Sequence, residues 1–119
     1  MARIYRFPPE ARIRKTREFD NVFKNGCKFV EKNVVVYYHP NSRPLSRLGV
    51  IVPKRVGKAV TRNRVKRQVR EIFRINREDL SAGVDIVVIA RKNAGIAGFL
   101  QMKEELLGRF ERVRGSDGA

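Results

Sequence analysis

Between Lys54 and Arg74 the chain carries nine basic side chains and a single acidic one, Glu71, and the chemistry open to such a density of cations is the binding of phosphate. Guanidinium and ammonium groups donate charge-assisted hydrogen bonds to phosphate oxygens, and each phosphate they neutralise releases counterions. Read at 100° per residue, Val65, Val69, Ile72 and Phe73 recur at i, i+4, i+7 and i+8, the stripe of a helix packed on a core. Asn63, Arg67, Arg70 and Arg74 then share the opposite face, with Arg64 and Lys66 beside it. A helix that is merely soluble mixes its signs and gains i,i+4 pairs; this one does not. Arg62 and Arg64 fall in or near the first turn, where the macrodipole is already positive, and each exposed cation there costs roughly 0.3 to 1 kcal/mol. A polyanion would make up that loss, so the stretch is read as a helix that binds nucleic acid.

Hydrolytic chemistry is missing by the same inspection. It would need paired carboxylates, a histidine acting as acid or base, or metal ligands at usable spacing. His39, the sole histidine, sits beside Pro40 at a strand end. Glu78-Asp79 and Glu104-Glu105 are sequence neighbours whose side chains diverge, and Asp85 lies alone in an apolar run. Cys27 has no evident base, and Gly57-Lys58 lacks the spacing of a phosphate-binding loop. No catalytic residue and no metal-ligand set is assigned to the chain.

A length of 119 residues allows one domain with a modest core. Lys and Arg number 27 against 12 Asp and Glu, a net charge of +15, which predicts affinity for polyanions with steep salt dependence. No long apolar run and no amphipathic helix with exposed Trp or Phe points to a membrane. The amino terminus, with Pro8 and Pro9 and no apolar segment, does not read as a secretory signal. A lone cysteine excludes an internal disulfide and fits a cytoplasmic location.

The cationic stretch needs elements to hold it. Residues 1–15 are expected as a basic flexible arm and residues 114–119 as a disordered tail of this single RNA-binding domain. A first helix capped by Thr16 stops at Asn25-Gly26 and places Phe19, Val22 and Phe23 on one face. Strands are expected at Cys27–Val30, Val34–His39 and Arg47–Val52, the last two paired side by side, and the loop Pro40–Pro44 separates them. A polar turn spans Asn76–Gly83. Val84–Ala90 is almost wholly apolar and therefore central, and a last helix over Ile96–Val113 carries Phe99, Met102, Leu106, Phe110 and Val113 at helical spacing. The order αβββαβα gives an α+β sandwich, one central sheet with helices packed on it.

The run Lys54-Arg55-Val56-Gly57-Lys58-Ala59-Val60-Thr61-Arg62-Asn63-Arg64-Val65-Lys66-Arg67-Gln68-Val69-Arg70-Glu71 resembles the arginine-asparagine-arginine signature of the bacterial ribonuclease P protein family, and the order of elements fits it over roughly residues 10 to 113. The resemblance implies a left-handed strand-helix-strand crossover and a protein that is cofactor to a catalytic RNA. That RNA, with Mg²⁺ held by the RNA holoenzyme rather than by the protein, hydrolyses the bond releasing the 5′ leader of precursor tRNA. It further implies that Arg62, Asn63, Arg64, Lys66, Arg67 and Arg70 face the ribonuclease P RNA. Phe19, Phe23 and Tyr37 match the aromatic positions of a leader cleft, and Lys54, Arg55, Lys58, Arg91 and Lys92 surround the leader's path. Val34 stands where many members carry an aromatic residue, and Pro53 where a polar one is common. No membrane and no obligate protein partner is expected. Two other readings stay open on the residues alone, a general RNA- or ribosome-binding basic protein and a metal-dependent nuclease acting by itself.

Overall fold

In the computed structural model, which describes residues 9–76 and 83–116, the chain runs α1 (Thr16–Asn25), β1 (Cys27–Val30), β2 (Val34–Pro40), β3 (Arg47–Ile51), α2 (Ala59–Asn76), β4 (Val84–Ala90) and α3 (Phe99–Ser116). Short 3₁₀ turns lie at Pro9–Ala11, Lys54–Val56 and Lys92–Gly95. This is the α+β order expected from the sequence. The four strands form one sheet in the order β1-β2-β4-β3, antiparallel except for the parallel pair β3 and β4.

β4 is central, as its unbroken apolar run requires. The expected neighbourhood of β2 and β3 is corrected by the same fact: β4 lies between them, with Val36 opposite Val88 on one side and Val50 opposite Val88 on the other. Six of its seven residues are buried, and only an interior strand has both faces covered and both edges paired. Edge strand β3 is closed instead by the segment before α1. Arg12 bridges Leu48 in parallel, and the Ile13 amide donates to the Leu48 carbonyl at 2.9 Å.

That segment differs from expectation. Ala11 is fully buried and Ile13 nearly so, so residues 9–15 are anchored rather than a free arm; residues 1–8 lie outside the described residues. Helix α1 begins one residue early. Lys15 occupies the capping position in extended geometry without a side-chain cap, and its carbonyl accepts from the Glu18 amide at 3.0 Å, so Thr16 is the first helical residue and not the cap. Helix α3 begins late, because the chain after β4 first closes a 3₁₀ turn whose Asn93 carbonyl accepts from the Ile96 and Ala97 amides. It then runs to Ser116, into the expected tail; residues 117–119 lie outside the described residues, as do 77–82 of the expected polar turn.

One sheet face carries the main core. Val34, Val36, Leu48, Ile86, Val88 and Ala90 meet Val65, Val69, Ile72 and Phe73 of α2 and Met102, Leu106 and Phe110 of α3. Each such side chain contributes about 1.5 to 3 kcal/mol of burial. The predicted apolar stripe of α2 is thus the buried one. Among the described residues the other face is covered by α1 and the segment before it, with Val22 packed on Val87 and Ile13, and Phe19, Phe23, Tyr37, Ile51 and Ile89 partly buried around them.

Candidate nucleic-acid interface

Helix α2 is aimed by its packing. With its apolar stripe against the sheet, Asn63, Arg67 and Arg70 are exposed and Lys66 half-buried beside them. Gly57 makes the entry possible, since its φ of 154° is open to glycine alone among common residues. Because the helix starts at Ala59, Arg62 closes the first turn and Arg64 stands in the second. Both are partly engaged by the fold. Arg62 Nε donates to the Gly57 carbonyl at 3.1 Å, and Arg64 Nη2 donates to the Gly95 carbonyl, tying the turn after β4 to the helix. Arg74 is engaged by Glu71, Nε to Oε2 at 3.0 Å, and that bond holds the Glu71 carboxyl below its usual range. Burial, and then the like charge of Arg12, push the Arg70 guanidinium below the ordinary arginine range.

The second face of the sheet is laid out in three rows by strand register. His39, Asp85 and Arg47 form one row; Lys28, Tyr37, Val87 and Gly49 the next; Val30, Val35, Ile89 and Ile51 the third. Helix α1 covers the middle row. Gly49 lets it approach, since a Cβ there would lie 2.5 Å from the Phe19 ring. Phe23 meets Tyr37 edge-on with centroids 4.9 Å apart, Phe19 lies 6.4 Å from Phe23, and Lys28 Nζ stands 5.8 Å from the Tyr37 ring centre. The third row lies beyond α1 as an apolar strip across all four strands, with Val35, Ile51 and Ile89 partly buried and Val30 57 % exposed.

Cations border that strip. Parallel β3 and β4 deliver Lys54-Arg55 and Arg91-Lys92 to the same end of the sheet, all four exposed, with Lys58 following. Arg91 is also structural, its Nη1 donating to the Glu31 carbonyl at 2.7 Å. Single-stranded nucleic acid is bound by this pairing of ring and aliphatic surface with a cationic border.

A family model described as Ribonuclease P matches residues 7–114. The chain belongs to the ribonuclease P protein family. Among relatives, the ribonuclease P protein component of Caldanaerobacter subterraneus is 40% identical over 95 residues, 80% of this chain and 82% of the relative. That of Desulfovibrio desulfuricans is 38% identical over 115 residues, 93% of this chain and 88% of the relative. Solved structures agree. The RNase P protein from Thermotoga maritima superposes with a TM-score of 0.77 at 40% identity, covering 85% of this chain and 96% of that one; the Staphylococcus aureus RNase P protein gives 0.77 at 34%, covering 87% and 94%. As a family member the chain is a protein subunit of the ribonuclease P holoenzyme, with a ribonuclease P RNA as partner.

Of the ribonuclease P residues named from sequence, Phe19, Phe23 and Tyr37 come together on the second face, and Asn63, Lys66, Arg67 and Arg70 on α2. Val34 does not belong to the cleft. It is fully buried on the helix-covered face, so its small side chain costs the cleft no ring. Sequence reasoning missed the strip Val30, Val35, Ile51 and Ile89. Its signal, alternation along β2, is hidden because Val34, Val35 and Val36 are identical.

Proposed function

We propose that the α2 face docks this subunit on ribonuclease P RNA through phosphate contacts, while the aromatic cleft and apolar strip hold the single-stranded 5′ leader of precursor tRNA. The observation that carries this reading is the third row of the sheet, an apolar strip half-buried at Val35, Ile51 and Ile89 and exposed at Val30, between two rings and four cations. Bases stacked on Phe23 and Tyr37 contribute about 1 to 3 kcal/mol each with little sequence preference. Lys54, Arg55, Arg91 and Lys92 neutralise leader phosphates at the end of the strip. The subunit thereby raises affinity for substrate over product, because mature tRNA has no leader to fill the cleft.

Mg²⁺ belongs to the RNA in this reading. Among the described residues no three His, Cys, Asp or Glu side chains come together to hold a metal ion, and buried Asp85 is engaged by Arg47. The chain's own residues bind and orient; hydrolysis is assigned to the RNA. Purified protein is incubated with precursor tRNA and Mg²⁺, with and without ribonuclease P RNA, at the low salt and Mg²⁺ where phosphate contacts are strongest. Cleavage at the mature 5′ end only with the RNA, and stimulated by the protein, is expected. Cleavage by repurified protein alone, or no stimulation, would contradict it.

A further inference from the structure

Helix α1 is one wall of the proposed leader cleft, and besides its apolar packing on Val87 and Gly49 it is tied to the sheet at its first turn by Glu18, which meets Arg47 and, more distantly at 4.0 Å, Arg43. Arg47 is 7% exposed. Its Nε donates to Asp85 Oδ1 at 2.8 Å and its Nη2 to Asp85 Oδ2 at 2.6 Å, a bidentate pair across β3 and β4. The remaining arm, Nη1, donates to Glu18 Oε2 on α1 at 2.7 Å. Asp85 Oδ1 also accepts from Asn41 Nδ2 at 2.6 Å, and that amide donates to the Leu45 carbonyl at 3.2 Å, so the base of the bracket is itself braced.

The bracket stands on the first row of the second face, one row from the rings. Glu18 precedes Phe19, which covers Gly49, two residues along β3 from Arg47. Five residues beyond Glu18 is Phe23, about 7.5 Å further along a stiff helix, and its edge rests on Tyr37. Apolar contacts such as Val22 on Val87 allow a helix to slide or roll; a planar guanidinium with three directed bonds does not. Buried ion pairs are poor sources of net stability and better at fixing one geometry among several. In a chain of net charge +15, an arginine turned inward against two carboxylates is a cation withheld from RNA.

We infer that Arg47 is a positioning residue for leader binding: seated on Asp85 and holding Glu18, it sets where α1 lies across the sheet and hence the opening between Phe23, Tyr37 and the strip Val30, Val35, Ile89 and Ile51. Arg47 touches no leader and acts through α1. The inference rests on the leader reading above and adds to it a cause for the cleft's width. It also separates the two interfaces, since α2 lies on the other face of the sheet and does not depend on the bracket.

The deciding variant is Glu18→Gln, because Glu18 is the outer, partly exposed arm and its loss leaves the buried Arg47 and Asp85 pair intact. Holoenzymes reconstituted with ribonuclease P RNA are compared for affinity to precursor tRNA carrying a leader, to mature tRNA, and to the RNA itself, with Tyr37→Ala alongside. Expected for Glu18→Gln is a loss of about threefold to tenfold for leader-bearing tRNA alone. A double variant with Phe23→Ala should lose less than the product of the single effects, because the bracket works through that ring; a merely structural role would not produce this coupling. Unchanged leader affinity in Glu18→Gln while Tyr37→Ala still discriminates overturns the positioning role and spares the leader reading. Failure of both variants to discriminate takes down both. Arg47→Lys, which keeps the charge and loses the fork, should match Glu18→Gln if it folds.

Discussion

The two faces of the sheet are made by the same four strands and differ in what covers them. One is closed by two long helices, and its residues from Val34 to Phe110 form a continuous core. Among the described residues the other has one helix, of ten residues, enough for most of the middle row and not for the whole of the strip beside it. On the proposed reading the difference teaches that a binding surface is made where the described elements cover a face only in part and cations border it. Helix α2 unites the two arrangements, since the residues that close the first face are on the same rod as the cations that face outward.

The comparison breaks most sharply through stability. Phe73→Ala on the closed face should cost about 3 to 5 kcal/mol of unfolding free energy by urea titration, and a loss under 1 kcal/mol would mean that face is not the core. Asp85→Ala, which leaves the buried Arg47 guanidinium without its bidentate partner, should cost a similar amount, about 3 to 5 kcal/mol. On the outer face of α2, Arg67→Ala or Arg70→Ala should leave the melting temperature unchanged. Each should flatten the slope of log affinity for the catalytic RNA against log salt by about 0.7 to 0.9; an unaltered slope with a lowered melting temperature would make these arginines servants of the fold. Val30→Ser in the exposed strip should stay within about 0.5 kcal/mol of the parent in stability and still weaken leader binding.

The smallest effect is on the acid side. The hydrogen bond from Arg47 holds the Glu18 carboxyl below its ordinary value of 4.5, against an opposing push from burial. A depressed carboxylate contributes stability that is fully present above the unfolded value and is lost as pH falls through the folded one. The stability gap between the parent and Glu18→Gln should therefore be constant from neutral pH down to about 4.5 and close below it. A gap that opened with acid would reverse the assignment.

What the sequence makes legible follows from the range of each signal. The face of α2 is readable because a helix repeats every few residues, so Val65 to Phe73 and Asn63 to Arg70 sort themselves without knowledge of any neighbour. The α1 face places Phe19 and Phe23 together for the same reason. Strand positions are readable from their β-branched runs, and the centrality of β4 from its apolar sequence. The pairing of β2 with β4 in place of β3 is not, because it depends on contacts between segments nearly fifty residues apart. Nor is the bracket, whose Arg47 lies 29 residues from Glu18 and 38 from Asp85; from sequence Asp85 is a single carboxylate in an apolar strand. Val35 and Val30 look like any strand valines until the register sets them beside Ile89 and Ile51.

The central claim, that the half-covered face holds the leader, is tested most directly by two adjacent tyrosines. Tyr37 meets Phe23 on that face, whereas Tyr38 stacks on Phe29 at 5.5 Å on the other, where Arg109 lies over the Phe29 ring. Affinity of the reconstituted holoenzyme is measured for precursor tRNA with a leader and for mature tRNA. Tyr37→Ala should weaken the first by about tenfold, the worth of one stacked base, and leave the second nearly unchanged, while Tyr38→Ala should treat both alike. Equal loss for both tRNAs at Tyr37, or the stronger leader effect at Tyr38, would contradict the account.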